Sequence, residues 1–87
     1  MKISEGFVLK NIAGTYVVVP VGENTVSFKA IITLNETGAF LWEHLQKECT
    51  EETLLESMLK EYNVEKEIAA ADIKEFIQKL EKATLLT

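Results

Sequence analysis

Arginine is absent from this 87-residue chain, and all nine basic residues are lysines. Arginine is the usual side chain for bidentate recognition of phosphates and guanine edges. With a net charge of −5 as well, the chain is poorly suited to nucleic acid. Cys49 is the only cysteine, so neither an intrachain disulfide nor a cysteine cluster for zinc is available. The four glycines stand apart at 6, 14, 22 and 38, which leaves no glycine-rich loop to cradle a phosphate. No apolar run approaches membrane-spanning length, and the opening MKISEGFVLK lacks the apolar core of a secretion signal. The chain therefore reads as cytoplasmic, with no membrane partner.

The hydrophobic fraction is 47% and the charges are dispersed, which favours a folded chain over a disordered one. Its length suits a single domain over 1–87, near the size at which one core suffices. Phe7, Val8, Leu9 and Ile12 make a first short apolar segment. Residues 15–21, TYVVVPV, are β-branched and aromatic, as a second strand requires. Ala13-Gly14 between them suits a hairpin turn. Pro20, the sole proline, marks an edge position or a strand end, because it donates no ladder hydrogen bond. Gly22-Glu23-Asn24-Thr25 is a second turn signal.

A third strand lies within residues 26–34. Val26, Phe28, Ala30, Ile32 and Leu34 fall on one face, and Ser27, Lys29, Ile31 and Thr33 on the other. A bulge near Lys29-Ala30 would change that alternation. Short connections make an antiparallel three-stranded meander the simplest topology. The period then changes. Asn35 is placed to cap a helix with Gly38, Leu41, Trp42 and Leu45 inward, and Phe40 and His44 on another side. Thr50 caps a second helix whose stripe runs Leu54 or Leu55, Met58, Leu59 and Tyr62. A third helix over about residues 65–82, without a preferred cap, turns Ala69, Ile73, Phe76, Ile77, Leu80 and Ala83 inward. Leu85-Leu86 should fold back onto the sheet or the first helix. The expected architecture is α+β, ordered β-β-β-α-α-α, with the helices over one face of the sheet.

Chemistry is sparse. His44 and Cys49 stand five residues apart and form the one conceivable nucleophile–base pair, but the acidic surroundings of Cys49 do not lower a thiol pKa. One His and one Cys cannot close a zinc shell. The reading is of a non-enzyme without a cofactor. What remains is the sheet. Its strand ending in AIITL is apolar and proline-free, so an open edge there is a template for an incoming extended peptide. The edge could equally be covered by the N-terminal segment or by a second copy of the chain.

Three stretches in order, TLNETGAFLW, TEETLLESMLKEYNV and ADIKEFIQKLEKATLL, resemble the PqqD-like family of precursor-peptide recognition domains. The resemblance spans residues 7–86. It implies a winged-helix-like fold and no catalysis. It also implies two partners: the leader of a ribosomally made precursor peptide, and a modifying enzyme of the radical S-adenosylmethionine type. In the family the leader adds as a strand beside the third strand, in a groove closed by the third helix. Here that corresponds to Phe28, Lys29, Ala30, Ile31, Ile32 and Thr33, with Ile73 as the groove floor and Ala70, Lys74, Ile77 and Glu81 as its rim. Helical phase does not fix which rim of the third helix faces the strand.

Departures from the family pattern point to a pathway other than pyrroloquinoline quinone synthesis. Thr84 replaces the usual glycine before the final leucines, LQKECTEET lacks an Asp-Gly turn, and Phe40 replaces a polar residue. Phe40 is either partly buried or a docking contact for the enzyme. Two rival readings remain: a winged-helix DNA-binding protein, by fold analogy alone, and a structural module. Monomer and edge-paired or swapped homodimer are both compatible with the sequence.

Overall fold

The computed structural model describes residues 1–22 and 32–87. Three antiparallel strands in the order β1-β2-β3 are followed by three helices, an α+β fold. The strands are β1 (Phe7–Ile12), β2 (Thr15–Pro20) and β3 (Ile32–Leu34), and the helices are α1 (Glu36–His44), α2 (Glu51–Glu61) and α3 (Lys66–Lys82). The turn expected at residues 23–25, the strand before Ile32 and the bulge at Lys29-Ala30 lie outside the described residues.

The β1–β2 hairpin closes through Ala13 and Gly14, both with positive φ (52° and 84°). That is the left-handed pair a two-residue type I′ turn demands. Asn11 Oδ1 helps by accepting the Gly14 N–H at 2.9 Å. Pro20 ends β2 opposite Phe7, consistent with the strand-end alternative. Val18, Ile32 and Leu34 are buried on the inner face of the sheet, with Phe7, Leu9 and Tyr16 packed beside them. Val8 and Ile12 lie exposed on the outer face.

The helix starts follow from side-chain caps. Asn35 Oδ1 accepts the Gly38 N–H at 2.8 Å and opens α1. At α2, Thr50 and Thr53 satisfy one another's backbone N–H groups in a capping box. At α3, Glu65 makes no side-chain cap bond, so the 17-residue helix depends on its buried stripe. That stripe is Ala69, Ile73, Phe76, Ile77 and Leu80. It meets Leu41, Trp42 and Leu45 of the first helical segment and Leu54 and Met58 of α2 in one core.

The C-terminal tail folds back into the core. α3 ends in a Schellman motif: Thr84, at φ 61°, lets its N–H reach the Glu81 carbonyl and the Leu85 N–H reach that of Leu80. Leu85 is then fully buried in the core it shares with the sheet and α1, and among the described residues the tail's backbone bonds go to the N-terminal segment. Ser4 N–H donates to the Leu85 carbonyl at 2.7 Å, and Thr87 N–H to that of Lys2 at 2.9 Å, around an Ile3–Leu86 bridge. Ile3 N–H donates to the Leu45 carbonyl. The segment Met1 to Ser4 has too few apolar residues to show a period, so this pairing has no signature in the sequence.

Candidate functional site

The direction of each strand's backbone groups follows from one hydrogen bond. Val21 N–H donates to the Gly6 carbonyl at 2.8 Å, which makes Gly6–Val21 a bonded pair in the β1–β2 register. Bonded and non-bonded pairs alternate along an antiparallel ladder. Thr15, Val17 and Val19 therefore turn their N–H and C=O groups toward β1, and Tyr16 and Val18 turn theirs toward β3. Tyr16 pairs with Leu34, Val18 with Ile32 and Val17 with Thr33. Ile32 and Leu34 thus bond back to β2. Thr33 lies in a non-bonded pair, and its N–H and C=O point outward. Among the described residues no strand pairs with β3 on that side.

α3 reaches this edge through the stretch from Asp72 to Lys79. Lys79 Nζ donates to the Thr33 carbonyl at 3.2 Å, bridging helix and strand. One turn and two turns back on the same flank lie Phe76 with Glu75, and Asp72. Together with Leu34, Gly38 and Leu41 they enclose a cleft of about 220 Å³ at the corner where β3 passes into α1. The floor is apolar and the rim carries two carboxylates and one ammonium. Gly38 stands close against its neighbours. A β-carbon there would stand 3.2 Å from Leu34 Cβ and 3.5 Å from the Phe76 ring.

The sequence-based candidates divide into three groups. Phe28, Lys29, Ala30 and Ile31 lie outside the described residues. Ile32 is buried in the core, whereas Thr33 is exposed at the edge. On α3, Ile73 is fully buried and Ile77 nearly so, Ala70 is half-buried, and Lys74 and Glu81 are exposed. None of these α3 residues lines the cleft. At 100° per residue, Ala70, Lys74 and Glu81 lie on the opposite flank of the buried stripe from Asp72, Glu75 and Lys79. An amphipathic period identifies the stripe but treats its two borders alike, which is why the sequence left the strand-facing border open.

The conceivable nucleophile pair does not assemble. Cys49 Sγ donates to the His44 backbone carbonyl at 3.7 Å. The imidazole turns away, with Nδ1 3.0 Å from the Phe40 carbonyl and its ring 4.3 Å from that of Phe40. Burial pushes the Cys49 thiol above its ordinary pKa, and the neighbouring Glu48 adds to this while the Met1 ammonium and Thr53 oppose it. Phe40 is half-buried and packs edge-on against Tyr62. Among the described residues no group of His, Cys, Asp or Glu is arranged to hold a metal ion, and no helix is long and apolar enough to cross a membrane.

A short antiparallel sheet, both outer edges unpaired among the described residues and the β3 edge flanked by an amphipathic helix, defines a small α+β strand-edge module. The chain belongs to the PqqD family: the family model described as coenzyme PQQ synthesis protein D (PqqD) matches residues 8–86. Among solved structures, TbiB1 in complex with the TbiA(beta) leader peptide is similar in fold, at 23% identity and TM-score 0.76, over 99% of this chain and 94% of that one. Lasso peptide synthetase B1 complexed with the leader peptide matches at 18% identity and TM-score 0.72, over 97% of this chain and 93% of that one. No curated protein matches the chain.

Proposed function

We propose that this protein is a non-catalytic adaptor that captures the leader of a ribosomally made precursor peptide and presents it to a modifying enzyme. The observation that carries this reading is the edge of β3, where the Thr33 N–H and C=O point away from β2 beside the Asp72–Lys79 flank of α3. A guest in extended form adds there as a strand. Its backbone bonds give affinity, and its alternate side chains meet the cleft. Membership of the PqqD family supports the reading, as do two fold relatives whose solved structures are complexes with leader peptides.

The site in this reading is the β3 edge with the Asp72, Glu75, Phe76 and Lys79 flank of α3. The strand candidates Phe28, Lys29, Ala30 and Ile31 belong to the proposal from sequence alone. The modifying enzyme is of the radical S-adenosylmethionine type, the adaptor acts in the cytoplasm, and the whole chain serves as one domain. The test is a fluorescence titration of the folded protein with the labelled leader of a short precursor encoded beside its gene. Saturable binding in the micromolar range or tighter is expected. Absence of binding to the leader of every neighbouring precursor overturns the reading.

A further inference from the structure

The outward carbonyl of Thr33 is already taken. Lys79 Nζ donates to it at 3.2 Å, reaching across from α3, although both residues are exposed. This is a particular place for a lysine. Among the described residues of β3 the Thr33 carbonyl is the acceptor that faces an arriving strand, since Ile32 and Leu34 spend theirs on β2. Unpaired sheet edges bond to whatever extended chain meets them, and lysine is a common protection against that.

We propose that Lys79 is a displaceable guard of the β3 edge, shielding it from a second copy of the chain and giving way to the docked peptide. This rests on the peptide-docking reading above. A single exposed bond to a neutral carbonyl is a weak hold. The released ammonium returns to water and to Glu75, one turn back on the same helix. A guest that fills the cleft as well as pairing with the edge gains more than the guard loses. A second β3 edge carries its own Lys79–Thr33 bond, so pairing two copies displaces two guards, and against it the guard prevails.

The experiment compares wild type with Lys79→Met, which keeps the aliphatic stem and removes the donor, and with Lys79→Arg, which keeps a donor. Thermal melts establish that all three fold. Sedimentation velocity over a concentration series should show monomer for wild type and Lys79→Arg, and a concentration-dependent dimer for Lys79→Met. The neighbouring precursor's labelled leader should bind Lys79→Met about threefold to tenfold more tightly than wild type, since it no longer displaces a bond. A wild type that is already dimeric, a Lys79→Met that stays monomeric, or leader affinity that is unchanged or weaker in Lys79→Met each overturns the proposal. If no leader binds either form, the docking reading falls by itself. The guard is then judged by sedimentation, a Lys79→Met dimer supporting it and a monomer overturning it.

Discussion

Asn35 and Gly38 share one oxygen's surroundings: Asn35 Oδ1 accepts the Gly38 N–H at 2.8 Å and would stand 3.1 Å from a β-carbon on that glycine. Gly38→Ala ordinarily gains about 1 kcal/mol of helix propensity. Here the added methyl presses the capping oxygen and the buried Leu34 side chain, so both must give by a few tenths of an ångström at the cost of the cap geometry. The variant should be less stable than wild type in urea unfolding, and Asn35→Ala should cost about 1 kcal/mol by loss of the cap.

Among the described residues, Ala13 at φ 52° and Thr84 at φ 61° hold left-handed backbone without being glycine. A β-branched side chain is the worse fit to that region. Thr84→Gly should stabilise the protein by about 1 kcal/mol, and Ala13→Asn by about 0.5 kcal/mol, the strain relieved being partly offset by chain entropy in the glycine case. Both are measured as shifts in the denaturant midpoint at constant slope.

The packing of Leu45 gives a larger effect. Its side chain is fully buried, and its carbonyl receives Ile3 of the N-terminal segment. Leu45→Ala should lose about 2–5 kcal/mol, enough to threaten folding of a domain this small. Lys60→Ala, on the exposed side of α2, should leave stability within about 0.5 kcal/mol of wild type.

Much of this architecture was legible in the sequence. Asn35 and Thr50 announced two helix starts, and the stripe through Ala69, Ile73, Phe76, Ile77 and Leu80 announced the third helix. Those signals are local, so they survive without knowledge of neighbours. The pairing of Ser4 with Leu85 was not legible, since it is made by backbone groups that any sequence carries. Nor was the flank of α3 that meets β3, because that choice depends on the handedness of the whole packing. The direction of the Thr33 backbone is a third such case. Side-chain alternation shows that Ile32 and Leu34 go inward, but not which residues bond to β2.

That direction separates two prolines that sequence reading treats alike. Thr33→Pro removes an N–H that faces outward and no β2 bond. Ile32→Pro removes a ladder donor and a buried side chain together. Thr33→Pro should fold with nearly wild-type stability and lose leader binding about tenfold or more, by calorimetric titration. Ile32→Pro should lose stability first, visible in its thermal melt before any peptide is added.

Cys49 carries a pH prediction. Its folded pKa is raised, by burial foremost, so the neutral thiol is favoured in the fold. The stabilisation is complete below the unfolded value, about 8.5, and is lost as pH rises through the folded one. Stability should therefore decline in alkaline buffer, and Cys49→Ser should flatten that decline. Iodoacetamide should modify native Cys49 more slowly at pH 8 than it modifies the unfolded chain.

The non-bonded pairing of Val17 with Thr33 also has a combinatorial consequence. A strand laid against an antiparallel edge can bond only with every second residue of its host, so its alignment moves in steps of two. Slipping by one residue would invert the guest, sending to solvent every side chain meant for the cleft. The edge thereby divides all possible alignments of an added strand into two classes of opposite parity, and the outward backbone of Thr33 separates them.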